Sequence, residues 1–94
     1  MPRKRTRIKI IMDIMKHLSE RSETPTRLAT LANIPYDRLI PILEELERKG
    51  LVVFEASEEN PRARTVKLTD KGWKLYLHLK KLFKVVKDFG LEIL

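Results

Sequence analysis

Residues 35–52 read PYDRLIPILEELERKGLV. In this stretch Leu39, Ile42 or Leu43, and Leu46 recur at spacings of three and four. That is the mark of one buried helical stripe. A helix is expected from about Tyr36 to Lys49. Glu44 with Arg48 and Glu45 with Lys49 form favourable i,i+4 pairs on its outer side. Gly50 is a stop signal, and Leu51-Val52-Val53-Phe54-Glu55 is β-prone. Pro41 is the anomaly: it removes one backbone bond and crowds the carbonyl of Asp37. A kink or a late start is therefore expected.

Working back from Tyr36, Asn33-Ile34-Pro35 reads as a turn. Asn tolerates the left-handed conformation at a helix end, and Pro35 bars Ile34 from the α region. A short helix precedes it, with Thr24 as N-cap and Pro25 at the first helical position. Leu28, Leu31 and Ala32 are expected to face inward. A first helix runs from Ile8, with Ile8, Ile11, Ile14, Met15 and Leu18 as its stripe, and fades near Arg21. Asp13 and His17, one turn apart, read as a surface pair rather than a proton relay.

Working forward, Arg64-Thr65-Val66-Lys67-Leu68 is a second strand with Arg64, Val66 and Leu68 on one face. The polar loop from Ala56 to Ala63 joins the two strands as an antiparallel hairpin. Thr69 caps a last helix starting at Asp70. Its apolar residues Leu75, Leu79, Leu82, Val86, Phe89 and Ile93 alternate at spacings of four and three, which is a heptad seam. Trp73 and Tyr76 are expected to pack on the first helix. Leu79 and the residues beyond it are expected to outreach so small a core and to pair two copies of the chain.

The element order is helix, helix, turn, helix, strand, loop, strand, helix. The expected class is mainly α with a small β-hairpin: a winged helix-turn-helix plus a C-terminal coiled-coil helix. The segments RIKIIMDIMKHL (7–18), PYDRLIPILEELERKGLV (35–52) and LTDKGWKLY (68–76) carry a resemblance. With them the chain resembles the small archaeal winged-helix DNA-binding proteins, chromatin-associated or regulatory, that dimerise through a C-terminal coiled-coil helix. The resemblance spans most of the chain and implies a homodimer that binds double-stranded DNA. It divides the chain into a basic arm (1–7), a winged-helix domain (8–69) and a dimerisation helix (70–94).

Composition agrees and excludes. The chain has 94 residues, 20 Lys plus Arg against 13 Asp plus Glu, and a net charge of +7. Such an excess favours an anionic partner, most often nucleic acid. With no Cys there is no disulfide framework, thiolate metal site or cysteine nucleophile. Two separated His argue against a histidine metal site, and no glycine-rich phosphate loop is present, so no metal, cofactor or catalysis is expected. No apolar run reaches the ~18 residues of a membrane span. A soluble, cytoplasmic, nucleoid-associated protein with thermophile-like composition is the resulting expectation.

The expected DNA contacts follow from how such a fold meets a duplex. Arg3, Lys4, Arg5 and Arg7 form the arm. Thr26 and Arg27 lie at the start of the second helix, where backbone N–H groups favour phosphate. Tyr36 and Arg38 open the third helix. Arg38 either meets a guanine edge or pairs with Asp37 or another nearby acid. Arg62 and Arg64 form a wing. The third helix itself is net acidic, which weighs against tight reading of the major groove. It leaves a winged-helix protein–protein interaction module as the alternative. RNA or single strands are disfavoured because the sequence has no cluster of aromatic residues to stack on.

Overall fold

The computed structural model describes residues 5–91. The chain forms α1 (Arg7–Glu20), α2 (Pro25–Ala32), α3 (Tyr36–Arg48), β1 (Val52–Ala56), β2 (Arg64–Leu68) and α4 (Asp70–Asp88). The expected order is observed. Arg3, Lys4 and Ile93 lie outside the described residues.

Local chemistry sets the boundaries. Thr6 caps α1 by accepting from the Lys9 N–H at 3.2 Å, and Arg7 is the first residue of that helix rather than part of a preceding arm. Thr24 caps α2, with Pro25 behind it, and Thr69 caps α4 by accepting from the Gly72 N–H. Asn33 takes the left-handed conformation at φ 55°, as its place in the turn demands. Its N–H bonds the Thr30 carbonyl, and the Ile34 N–H bonds that of Ala29, which closes a Schellman end. Gly50, at φ +74°, closes α3 in the same way: its N–H reaches Glu47 and that of Leu51 reaches Leu46. Pro41 neither delays α3 nor breaks it, for the helix is continuous from Tyr36. The missing donor falls on an exposed position, where water can serve the freed carbonyl.

β1 and β2 pair antiparallel, Val52 opposite Leu68 and Phe54 opposite Val66. A bridge from Glu23 to Val66 adds a third chain segment to the hairpin, through a backbone bond in each direction (3.1 and 2.8 Å). The hairpin is thereby tied to the segment that leads into α2.

The core gathers one face of every element. Leu39, Ile42, Leu43 and Leu46 are all buried, as their spacing predicts. In α1 the buried set is Ile10, Met12, Ile14, Met15 and Leu18, while Ile8 is 38% exposed. The stripe is therefore rotated from the expected one, because α1 packs against α2, β2 and α4 and needs a wider apolar face. Leu31 is a second correction. It is exposed, and Leu28, Ala29 and Ala32 face the core of α2 instead.

α4 belongs to this core over its first half. Tyr76 is buried, and Leu75, Leu79 and Phe83 pack against the core cluster. Leu79 is thus within the core's reach, contrary to expectation, because α4 packs against both α1 and β2. Trp73, expected to pack on α1, is exposed and meets Tyr76 edge to face at 6.2 Å. Three bonds fix the start of α4 to the end of α3. The Thr69 N–H reaches the Leu51 carbonyl at 3.1 Å, its hydroxyl reaches that of Gly50 at 2.6 Å, and Lys71 Nζ reaches that of Lys49 at 2.9 Å. The Gly50 and Lys49 carbonyls, left without helical partners at the end of α3, are thus satisfied from α4.

Candidate nucleic-acid interface

Three elements expected to meet DNA converge on one cleft. Pro25 from the start of α2, Tyr36, Ile40, Glu44 and Glu47 from α3, and Phe54 with Arg64 from the hairpin line it together. Tyr36 is 49% exposed at the head of α3. Beside it, Thr26, Thr30 and Asn33 line a second depression along the turn between α2 and α3. Arg38 is exposed in the first turn of α3 and makes no ion pair among the described residues.

This fold is that of a winged helix: a helix-turn-helix with a tethered hairpin beside its third helix. A family model described as winged helix-turn-helix matches residues 4–87. The chain belongs to that family. Solved structures agree on the winged-helix fold. The transcriptional repressor CouR bound to a 23-mer DNA duplex superposes with a TM-score of 0.73 at 27% identity, covering 86% of this chain and 56% of that one. The transcriptional regulator BldR from Sulfolobus solfataricus gives 0.72 at 25%, covering 84% and 60%. The S. aureus MepR–DNA complex gives 0.74 at 19%, covering 92% and 70%. The winged-helix chain thus spans only about three fifths of the CouR and BldR chains. No curated protein sequence matches it.

The expected contact residues divide into groups. On the wing, Arg62 is exposed in a turn where the Asn60 side chain accepts from its N–H at 3.1 Å. Arg64 lies with its guanidinium 5.3 Å from the centroid of the Phe54 ring. That packing holds a long side chain in place at low entropic cost. Phe54 has no role in the sequence-based expectation. The signal that could have found it is the hairpin register, which sets Phe54 diagonal to Arg64 on one face of the sheet.

Apart from Arg38, the remaining described cations among the expected contacts are engaged within the protein. Arg7 pairs with Glu45 of α3. Arg27 pairs with Glu23 at 3.1 Å, and Glu23 is 5% exposed. Arg5 turns inward to the turn between α2 and α3. Its bond to Asp13 replaces the expected Asp13–His17 pair, since Arg5 at 2.9 Å and Lys9 at 3.1 Å both hold that carboxylate. On α3, Glu45 reaches Lys49 at 4.0 Å as well as Arg7, whereas Glu44 and Arg48 do not pair among the described residues. Glu44 and Glu47 instead face the cleft.

The heptad residues also divide. Leu75 and Leu79 pack inward, Val86 is half-buried, and Leu82 (51%) and Phe89 (78%) are exposed. His78 and Val85 stand at helical spacing with Leu82 and Phe89, so the free stripe is rotated toward them. No group of His, Asp and Glu among the described residues is placed to hold a metal ion. No described helix is long and apolar enough to cross a membrane.

Proposed function

We propose that the chain is a homodimeric winged-helix protein that binds double-stranded DNA, as a transcriptional regulator or chromatin-associated factor. It would act at the nucleoid in the cytoplasm, in the archaeal, heat-adapted setting that resemblance and composition imply. The observation that carries the reading is the convergence of α2, α3 and the hairpin on one exposed cleft, with Arg64 on its wing side. CouR and MepR, whose folds this chain shares, are seen with DNA, which supports the same partner here.

The charge distribution favours contact with the phosphate backbone over base reading. Asp37, Glu44 and Glu47 stand on the outer side of α3 and oppose deep insertion into an anionic groove. The same acidic face supports the second reading, a module that docks a basic protein. Fluorescence anisotropy with a random-sequence duplex separates the two. Micromolar or tighter binding is expected, and no binding at low salt would favour the module.

Two variants probe the parts. Arg64→Ala is expected to weaken binding to every duplex alike and to lower the log–log salt slope by about 0.9 for each phosphate no longer neutralised. An unchanged slope would remove Arg64 from the interface. Dimerisation is proposed for the stripe of exposed Leu82 and Phe89, with half-buried Val86 beside them. Leu82→Asp places a charge in that stripe. It is expected to give a monomer in sedimentation velocity, with an intact far-ultraviolet spectrum because Leu82 lies outside the core.

A further inference from the structure

We propose that Arg5 is a positioning residue for duplex binding, holding the turn between α2 and α3, and that it takes no phosphate itself. The inference rests on the duplex-binding reading above. The Schellman end of α2 uses the carbonyls of Ala29 and Thr30, which leaves those of Ala32 and Asn33 without helical partners. Arg5 supplies both. Its Nη1 donates to the Ala32 carbonyl at 2.7 Å and its Nη2 to that of Asn33 at 2.7 Å. Nη1 also donates to Asp13 Oδ2 at 2.9 Å, so α1 orients the guanidinium from behind. A cation at the C-terminal end of α2 is further favoured by the helix dipole.

The planar fork of arginine spans two neighbouring carbonyls while touching a carboxylate, and a lysine ammonium cannot copy that geometry. The Arg5 side chain is 28% exposed against 59% for Arg7. To meet a phosphate it would have to release all three bonds. The turn it holds leads through Pro35 directly into Tyr36 and Arg38, so its geometry fixes how the head of α3 is presented to a duplex. This cation of the basic start of the chain therefore acts through structure, not through field.

The test compares the unaltered chain with Arg5→Ala and Arg5→Lys. Duplex binding is measured by anisotropy over a salt series, and amide exchange is measured without DNA. Both variants are expected to fold and to bind about tenfold more weakly, a change of about 1.4 kcal/mol. The salt slope should stay within about 0.3 of the original, because the number of neutralised phosphates does not change. The Asn33 and Ile34 amides should exchange at least about tenfold faster while those of Leu43 and Leu46 do not change. Full affinity in Arg5→Lys, or a slope reduced by about 0.9 per Arg5, would overturn the proposal in favour of a phosphate contact. Unchanged exchange at Asn33 and Ile34 would overturn it too. Absence of duplex binding by the unaltered chain would sink the duplex reading and the proposal's link to it, while the exchange result would still decide whether Arg5 holds the turn.

Discussion

Gly72→Ala is expected to destabilise the fold by about 2–3 kcal/mol, a loss of about 10–20 °C in the thermal midpoint for a domain of this size. A Cβ at Gly72 would stand 2.0 Å from the Leu51 carbonyl oxygen and 3.1 Å from a Leu68 methyl. The obstacle is backbone, so no side-chain rotation relieves it. The Leu51 carbonyl is moreover held where it is by the Thr69 N–H, and Thr69 and Lys71 peg the same helix turn to Gly50 and Lys49. Relief requires α4 to lift from the end of α3, which breaks those three bonds and loosens Tyr76 and Leu79 from the core. Gly50→Ala is the matched control. Its added Cβ meets nothing closer than 3.8 Å, so it carries only the strain of φ +74°, about 1 kcal/mol. Thermal unfolding followed by circular dichroism, at one protein concentration, would rank the two. Equal midpoints for Gly72→Ala and the unaltered chain would show that the helix junction is looser than its geometry indicates.

That junction is not legible in the sequence, and the reason is physical. Capping and turn chemistry is local: Thr24 with Pro25, Asn33, Gly50 and Thr69 announce their roles through the few residues beside them. The α3 stripe is also legible, since four apolar positions at one helical spacing admit a single inward face. α1 is harder, because it is apolar at positions 8, 10, 11, 12, 14 and 15, and such a helix has several candidate faces. Only the neighbours that pack on it select Ile10 over Ile8. α4 misleads for a related cause. A heptad spacing describes one stripe, but the helix presents two: Leu75, Leu79 and Phe83 to its own core, and Leu82 with Val85 and Phe89 outward.

The candidate interface shows the same division. The positions of Tyr36, Arg38, Arg62 and Arg64 follow from element order alone. The fates of Arg5 and Arg7 do not, because their partners are 27, 28 and 38 residues away. Charge counting treats every basic residue as a free cation. The fold instead commits Arg5 to a helix end, Arg7 to Glu45 and Arg27 to a buried carboxylate. The net charge of +7 is therefore a poor guide to the number of phosphates neutralised.

The salt dependence of duplex binding carries the largest expected effect and tests that conclusion. A dimer that neutralises about eight phosphates should show a log–log slope near −7, which is about a 10⁴-fold loss of affinity between 50 and 200 mM salt. On the proposed reading, Arg38, Arg62 and Arg64 of each protomer would supply about six of those contacts. If Arg5, Arg7 and Arg27 also met phosphates, the count would rise toward about fourteen and the slope toward about −13. Each of the three would first have to give up a carboxylate or carbonyl partner that already satisfies it. The measured slope thus distinguishes a surface whose internal ion pairs survive binding from one that dissolves them. A slope near −7, the same for unrelated duplex sequences, is the expected result. A slope near zero would remove phosphate contact as the source of affinity, and with it the duplex as partner. A steeper one would mean that the ion pairs of Arg5, Arg7 or Arg27 open on the DNA, and that their acids, Asp13, Glu45 and Glu23, are held by the fold without them.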